Sequence, residues 1–165
     1  MKDIPLFFSF ILLEYSDCSA SENQNDYNCS EAIDGKTNEY DNGWAASSPA
    51  YAIFELTNKR TMNTLVMMSG RLRNDHKLIV FRVTLKVDEQ WINLTGLKVQ
   101  EDPSAEIGGD GTITLASGIE VLQLEFNTVS YVQSIRLDVT KTDNLNNNVV
   151  VNEIIPKFEH RGSKL

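Results

Sequence analysis

Leu78-Ile-Val-Phe-Arg-Val-Thr-Leu-Lys-Val87 is the clearest strand in this chain. In its second half Phe81, Val83, Leu85 and Val87 fall on one face, and Arg82, Thr84 and Lys86 on the other. Successive strand side chains point to opposite faces, so the spacing predicts a half-buried β-strand. Asp88-Glu89 then reads as a hairpin turn, with Gln90–Leu94 as the returning strand. Similar segments recur outward from this point. Upstream lie Tyr51-Ala-Ile-Phe-Glu-Leu56 and the nearly continuous apolar run Asn63-Thr-Leu-Val-Met-Met68, which suits a buried strand. Downstream lie Ile119–Phe126, Tyr131–Val139 and Val149–Phe158. In the second of these Tyr131, Gln133, Ile135, Leu137 and Val139 share a face. No stretch carries an amphipathic helix of three turns. Short strands punctuated by Gly, Asn and Asp predict an all-β sandwich or barrel. Trp44, Phe54, Phe81, Leu124, Leu137 and Ile154 are the expected core. Glu101–Gly111 is the loosest loop, and its Gly-Gly-Asp-Gly lacks the Lys-Ser/Thr of a phosphate loop.

Ser30-Glu-Ala-Ile-Asp-Gly-Lys-Thr-Asn-Glu-Tyr-Asp-Asn-Gly-Trp-Ala-Ala46 is the chain's polar hub. Asp34-Gly35 marks a tight turn, since Gly tolerates positive φ. Asp34, Thr37, Asn38, Glu39, Asp41 and Asn42 make the loop rich in oxygen. Such a loop suits a hard cation such as calcium, which takes six to eight oxygens. An ordinary surface turn anchored by Trp44 is the other reading.

The 165 residues suffice for one domain with a real core. The expected domain is 10–158, with 1–9 as an extension or part of a signal peptide and 159–165 as a tail. The net charge of −8 opposes nucleic-acid and anionic-membrane binding, both of which need a positive field. Leu72, between Arg71 and Arg73, is the one apolar spike beside basic residues. Ile4–Leu13 is apolar but too short to span a bilayer. It reads either as a signal-peptide core with Cys18-Ser19-Ala20 as cleavage site, or as lead-in to a first strand over Phe10–Tyr15. Asp3 spoils the positive start a signal needs.

Two cysteines, Cys18 and Cys29, exclude a Cys-rich zinc site. A disulfide between them would close a short loop ahead of Asp34. With the sequons Asn28-Cys29-Ser30 and Asn93-Leu94-Thr95, this leans toward a secreted or extracellular setting. An intracellular setting is the alternative. A terminal Ser163-Lys164-Leu165 would be a peroxisomal address if it is a true terminus. Catalysis finds no support: there are two histidines, His76 and His160, no Gly-x-Ser-x-Gly and no His-Glu-x-x-His. Asp75 and His76, as neighbours in a strand, would point to opposite faces.

The order of landmarks resembles the discoidin, or coagulation factor 5/8 type C, domains of the galactose-binding-like superfamily. The matching residues are Ser19-Ala20-Ser21, Ala32-Ile33-Asp34-Gly35, Gly43-Trp44-Ala45 and Ala52-Ile53-Phe54-Glu55-Leu56. Tyr131–Thr140 and Val151-Asn152-Glu153-Ile154 complete the set, so the resemblance covers about residues 10–158. It implies an eight-stranded jelly roll that binds rather than catalyses. It also implies a calcium ion beneath the Asp-Gly loop. Asp34 and Glu153 would supply carboxylates, and Glu31, Lys36 and Asn152 carbonyls, with Thr37 or Ala45 as further donors. A metal-free, hydrogen-bonded loop is the alternative.

Ligands of such domains bind on loops at one end of the sandwich, which makes Gly70–Lys77 the candidate patch. Arg71, Arg73, Asn74, Asp75, His76 and Lys77 offer the donors and acceptors that sugar hydroxyls need. A solvated polar hairpin is the competing reading. Arg73-Asn74-Asp75 resembles the Arg-x-Asp of the fucose-binding branch. The upstream His of that branch is missing, with Ala46 and Ser48 in its place, and Lys77 sits too close. The expected partner is a glycan or cell-surface glycoprotein, bound by a non-catalytic, lectin-like module. A calcium-binding adhesion or protein-interaction module, including an intracellular scaffold, is the alternative.

Overall fold

A computed structural model describes residues 14–24, 27–36, 43–71 and 73–161. The strands are β1 (Tyr15–Ala20), β2 (Trp44–Ser47), β3 (Ala50–Ser69), β4 (Leu78–Val87), β5 (Gln90–Asn93), β6 (Lys98–Val99), β7 (Glu106–Ile107), β8 (Ile113–Thr114), β9 (Val121–Thr142) and β10 (Asn148–Lys157). Three of these ten are two-residue ladders, so the expected all-β jelly roll holds with extra short pairings. One single-turn 3₁₀ helix, Cys29–Ala32, interrupts the β structure.

β3 and β9 build both layers. They run antiparallel from Ala50↔Val139 to Met68↔Val121, with register shifts between Glu55 and Thr64. Those irregularities mark a corner. Thr57, Asn58, Lys59, Asn127 and Thr128 there are exposed, and the strands on either side bury alternate residues. Bulges bend strands in this way. Layer one therefore holds β1, the first half of β3, the second half of β9, and β4 with β5, β8 and β7. Layer two holds β2, β10, the second half of β3, the first half of β9, and β6. Pro156 pairs with Leu65 on one side of β10, beyond the reach of β2 on the other, where a missing N–H is tolerated.

The inward side chains of the two layers form one core. Trp44, Phe54, Phe81, Leu124, Leu137 and Ile154, the expected core residues, are all buried in it. Tyr15 ties the layers together: its hydroxyl donates to the Ile154 carbonyl at 2.8 Å, and its ring meets Phe54 edge-on. Burial pushes the Tyr15 pKa well above the usual tyrosine range.

Several boundaries differ from expectation. The first strand begins at Tyr15, and Phe10–Leu13 lie outside the described residues, as does the rest of Ile4–Leu13. So do Leu72 and Ser163-Lys164-Leu165. Tyr131 does not share the inward face. It adopts φ 60° at the corner and is 70% exposed, while Val132 is buried in its place. Residues 159–161 are not a free tail. Glu159 exchanges hydrogen bonds with the Asn63 amide, and Arg161 donates to the carbonyls of Asn63 and Phe126.

The corner lies at one end of the sandwich. The opposite end gathers the starts of β3, β4 and β10, the ends of β3 and β9, and the loops that join them. Both candidate sites sit there. The disulfide Cys18–Cys29 forms and pins the 3₁₀ helix to β1.

Candidate functional site: an Asp-Gly loop and a polar loop cluster

Glu153 is fully buried beside the Asp34-Gly35 turn. The Gly35 N–H donates to its Oε2 at 3.1 Å, while its Oε1 is buried without a hydrogen-bond partner. Burial pushes the Glu153 pKa up to about 8; the Gly35 bond opposes this, and the Asp34 carboxylate adds to it. The structure thus brings Asp34 and Glu153 together. Asp34 Oδ1 also accepts the Lys36 N–H at 3.0 Å, which closes the turn. Glu31, on the 3₁₀ helix, accepts the Gly43 N–H at its Oε1 at 3.4 Å.

A buried carboxylate oxygen with no partner is the donor a hard cation seeks. Among the described residues no three His, Cys, Asp or Glu side chains converge. The expected calcium donor set adds main-chain carbonyls to the two carboxylates. Ala45 fits that set poorly: it lies within β2, and its carbonyl accepts the Gln24 N–H at 2.9 Å. Thr37, with Asn38, Glu39, Asp41 and Asn42, lies outside the described residues.

Asn152 links this loop to the polar patch. It is the bulge residue where the β10–β3 register shifts between Val151 and Glu153. Its buried Oδ1 accepts the Arg71 N–H at 2.8 Å. Gly70, just before, has φ 59°, and a Cβ there would lie 2.6 Å from the Asp75 carbonyl. Glycine is required for the loop to close on itself.

The patch is a cluster of tied side chains. Arg71 pairs with Glu120 at 3.1 Å. The Arg73 guanidinium lies over the Tyr27 ring, 5.9 Å from its centroid. Lys77 Nζ donates to the Arg73 carbonyl, and its N–H donates to Asp143 Oδ1. Asn144 Nδ2 donates to Asp75 Oδ2 at 3.0 Å, holding the Asp75 carboxyl below the usual range, with His76 and Lys77 assisting. Arg71, Arg73, Asp75 and Lys77 are half-buried, lying against Glu120, Tyr27, Asn144 and Asp143 respectively, and among the described residues of the patch Asn74 alone is exposed.

Asp75 and His76 do meet, with His76 Nδ1 2.5 Å from Asp75 Oδ1. They lie in a loop in which His76 takes φ 80°, so strand geometry does not separate them. The other ring nitrogen of His76 faces the Asn144 amide at 3.5 Å rather than a hydroxyl or thiol. Sequence reasoning missed Tyr27, Glu120, Asp143 and Asn144, which lie far from 70–77 in the chain. The asparagine run 144, 146–148 was the only visible sign of them.

Solved structures place this architecture. A pectin-binding carbohydrate-binding module superposes with a TM-score of 0.64 at 20% identity, covering 87% of this chain and 91% of that one. This chain shares its fold with carbohydrate-binding modules. Chitosan-binding module 1 of a Paenibacillus sp. IK-5 chitosanase/glucanase matches with a TM-score of 0.64 at 14% identity, over 88% and 97% of the two chains. CBM32-3 from a family 31 glycoside hydrolase of Clostridium perfringens matches with 0.62 at 17%, over 94% and 100%. No protein-family profile matches the sequence, and no curated protein matches it.

Proposed function

We propose that the domain is a discoidin-like, non-catalytic carbohydrate-binding module. Its glycan would sit on the loop cluster of Arg71, Arg73, Asn74, Asp75, His76 and Lys77, with Asn144 as a further donor. The observation that carries this reading is the Asp75–His76–Asn144 cluster, set at a loop end of a fold shared with carbohydrate-binding modules. Its polar groups are held in place by one another, and preorganised donors and acceptors lose little freedom when sugar hydroxyls arrive. The extracellular setting belongs to the same proposal and is supported by the disulfide.

The calcium ion is its second part. Asp34 and Glu153 would hold it with carbonyls of Glu31, Lys36 and Asn152. Its role is structural: it offsets the buried charge of Glu153 and ties the Asp-Gly turn to β10.

Replacing Arg73 by Ala tests the sugar site, since the side chain alone is removed and the backbone bonds of the loop remain. Glycan binding should be lost while the melting temperature stays nearly unchanged. Binding that survives intact places the ligand elsewhere. A protein partner is the second reading, favoured by Leu145, which is 98% exposed at the tip of loop 143–148. Leu145→Ser would weaken a protein complex and leave sugar binding in place.

A further inference from the structure

The outer face of layer one carries a second prepared site. Tyr51 pairs with Asp138 across β3 and β9, and both stand on that outward face. Arg136, two residues before Asp138, lays its guanidinium over the Tyr51 ring, 4.3 Å from the centroid. Its Nε donates to both Asp138 oxygens, at 3.2 and 3.0 Å, and its Nη2 to Oδ1 at 3.0 Å. In front lies a cavity of about 320 Å³, lined by Ser21, Pro49, Tyr51, Asp138 and Thr140 among others. Tyr51 and Asp138 are part of that lining, and Arg136 is not. Ser21 Oγ is fixed as well, accepting the Tyr51 N–H at 2.9 Å and donating to the Tyr51 carbonyl at 3.3 Å.

The chemistry of this cavity is specific. Its carboxylate is paired with Arg136 at 3.0 Å, so no net charge selects an ion. Oδ1 already accepts two N–H bonds, and Oδ2, which accepts one, keeps acceptor capacity for a hydroxyl. The aromatic ring offers an apolar platform, and two hydroxyls flank it. The volume lies at the small end of ligand cavities and suits one ring. A larger cavity of about 460 Å³ beside β6 has no aromatic residue in its lining and no comparable device.

We infer that this cavity is a second sugar subsite that takes one neutral pyranose, its apolar face on Tyr51 and one hydroxyl donated to Asp138 Oδ2. It shares its ligand class with the loop cluster but none of its residues. Asp138 lies four residues before Thr142 along β9, ~13 Å from the loop end. The site stands on strands, where side-chain positions are better fixed than on loops.

Amide chemical-shift titration of the whole chain tests this. The probes are methyl β-galactoside, methyl α-mannoside, methyl α-glucoside and N-acetylglucosamine, each at millimolar concentration. At least one should give saturable shifts at Ser21, Tyr51, Asp138 and Thr140. Tyr51→Ala, which removes the platform, and Asp138→Asn, which removes a hydrogen bond to a charged group, should each weaken that binding about tenfold or more. Arg73→Ala should leave it unchanged, so a failed loop site and a failed strand site give different spectra. No saturable shift at these four amides with any probe overturns the inference. So do shifts that survive both replacements, or shifts confined to 70–77 and 143–148.

Discussion

The Gly35 N–H meets the Glu153 carboxylate at 3.1 Å across 118 residues of chain, and no other hydrogen bond reaches that carboxylate among the described residues. One donor does not replace the hydration that a buried carboxylate loses. The group has two remedies: it keeps a proton, or a cation takes the free oxygen. Each remedy leaves a measurable mark.

The first mark is on pH dependence. Without metal, burial raises the Glu153 pKa from 4.5 to about 8 in the folded state. The folded protein then holds a proton that the unfolded chain releases. Stability should therefore fall as pH rises from about 4.5 through about 8, by on the order of 5 kcal/mol in the limit. Glu153→Gln removes this loss. In chelator at pH 8.5 the variant should melt higher than the wild type, and near pH 4.5 the two should converge. A variant that melts lower at both pH values contradicts the buried-charge account.

Calcium is the second mark. An ion bound only by the folded state stabilises by about 2.7 kcal/mol at a hundredfold excess over Kd. For a domain of this size that is roughly 5–10 °C in melting temperature. The wild type should gain that shift at pH 7.5, and Glu153→Gln should not. Equal melting curves in calcium and in chelator would leave the Asp34 turn as a hydrogen-bonded loop without metal.

Gly70 sets the shape of the proposed sugar loop. At Gly70→Ala the new Cβ meets the Asp75 carbonyl at 2.6 Å, with φ at 59°. The strain should cost about 1–3 kcal/mol. It should also displace Asp75 from Asn144, so glycan affinity falls together with stability. A Gly70→Ala protein with unchanged affinity would detach binding from this loop.

Reduction of Cys18–Cys29 frees the 3₁₀ helix that carries Glu31. Loss of a disulfide typically costs about 2–4 kcal/mol. Paired melting curves with and without reductant should differ by that amount. Calcium affinity should also drop, because the Asp34 turn follows the helix directly.

Much of the fold was legible in alternation and turn residues. β4, β5 and β10 fall almost where the sequence places them, because each alternates or runs apolar between clear breaks. The corner was not legible. Thr57–Lys59 and Asn127–Thr128 look like turns, so β3 and β9 each read as two strands. Tyr131 likewise fits an alternating face that its positive φ abandons. Pairing Asp34 with Glu153 came from family resemblance alone, since nothing local connects residues so far apart. Asn144 and Glu120 reach the patch only through the return of β9 and β10. The contacts of Arg71 with Glu120 and of Arg73 with Tyr27 were equally invisible.

Glycan-array binding, with Arg73→Ala run beside the wild type in calcium and in chelator, tests the central claim most directly. The wild type should bind a defined set of glycans. Arg73→Ala should bind none of them. Chelator should weaken wild-type binding, because Asn152, which holds the Arg71 N–H, adjoins Glu153, the proposed cation ligand. A wild type that binds nothing across a broad array, while folded and loaded with calcium, would contradict the account.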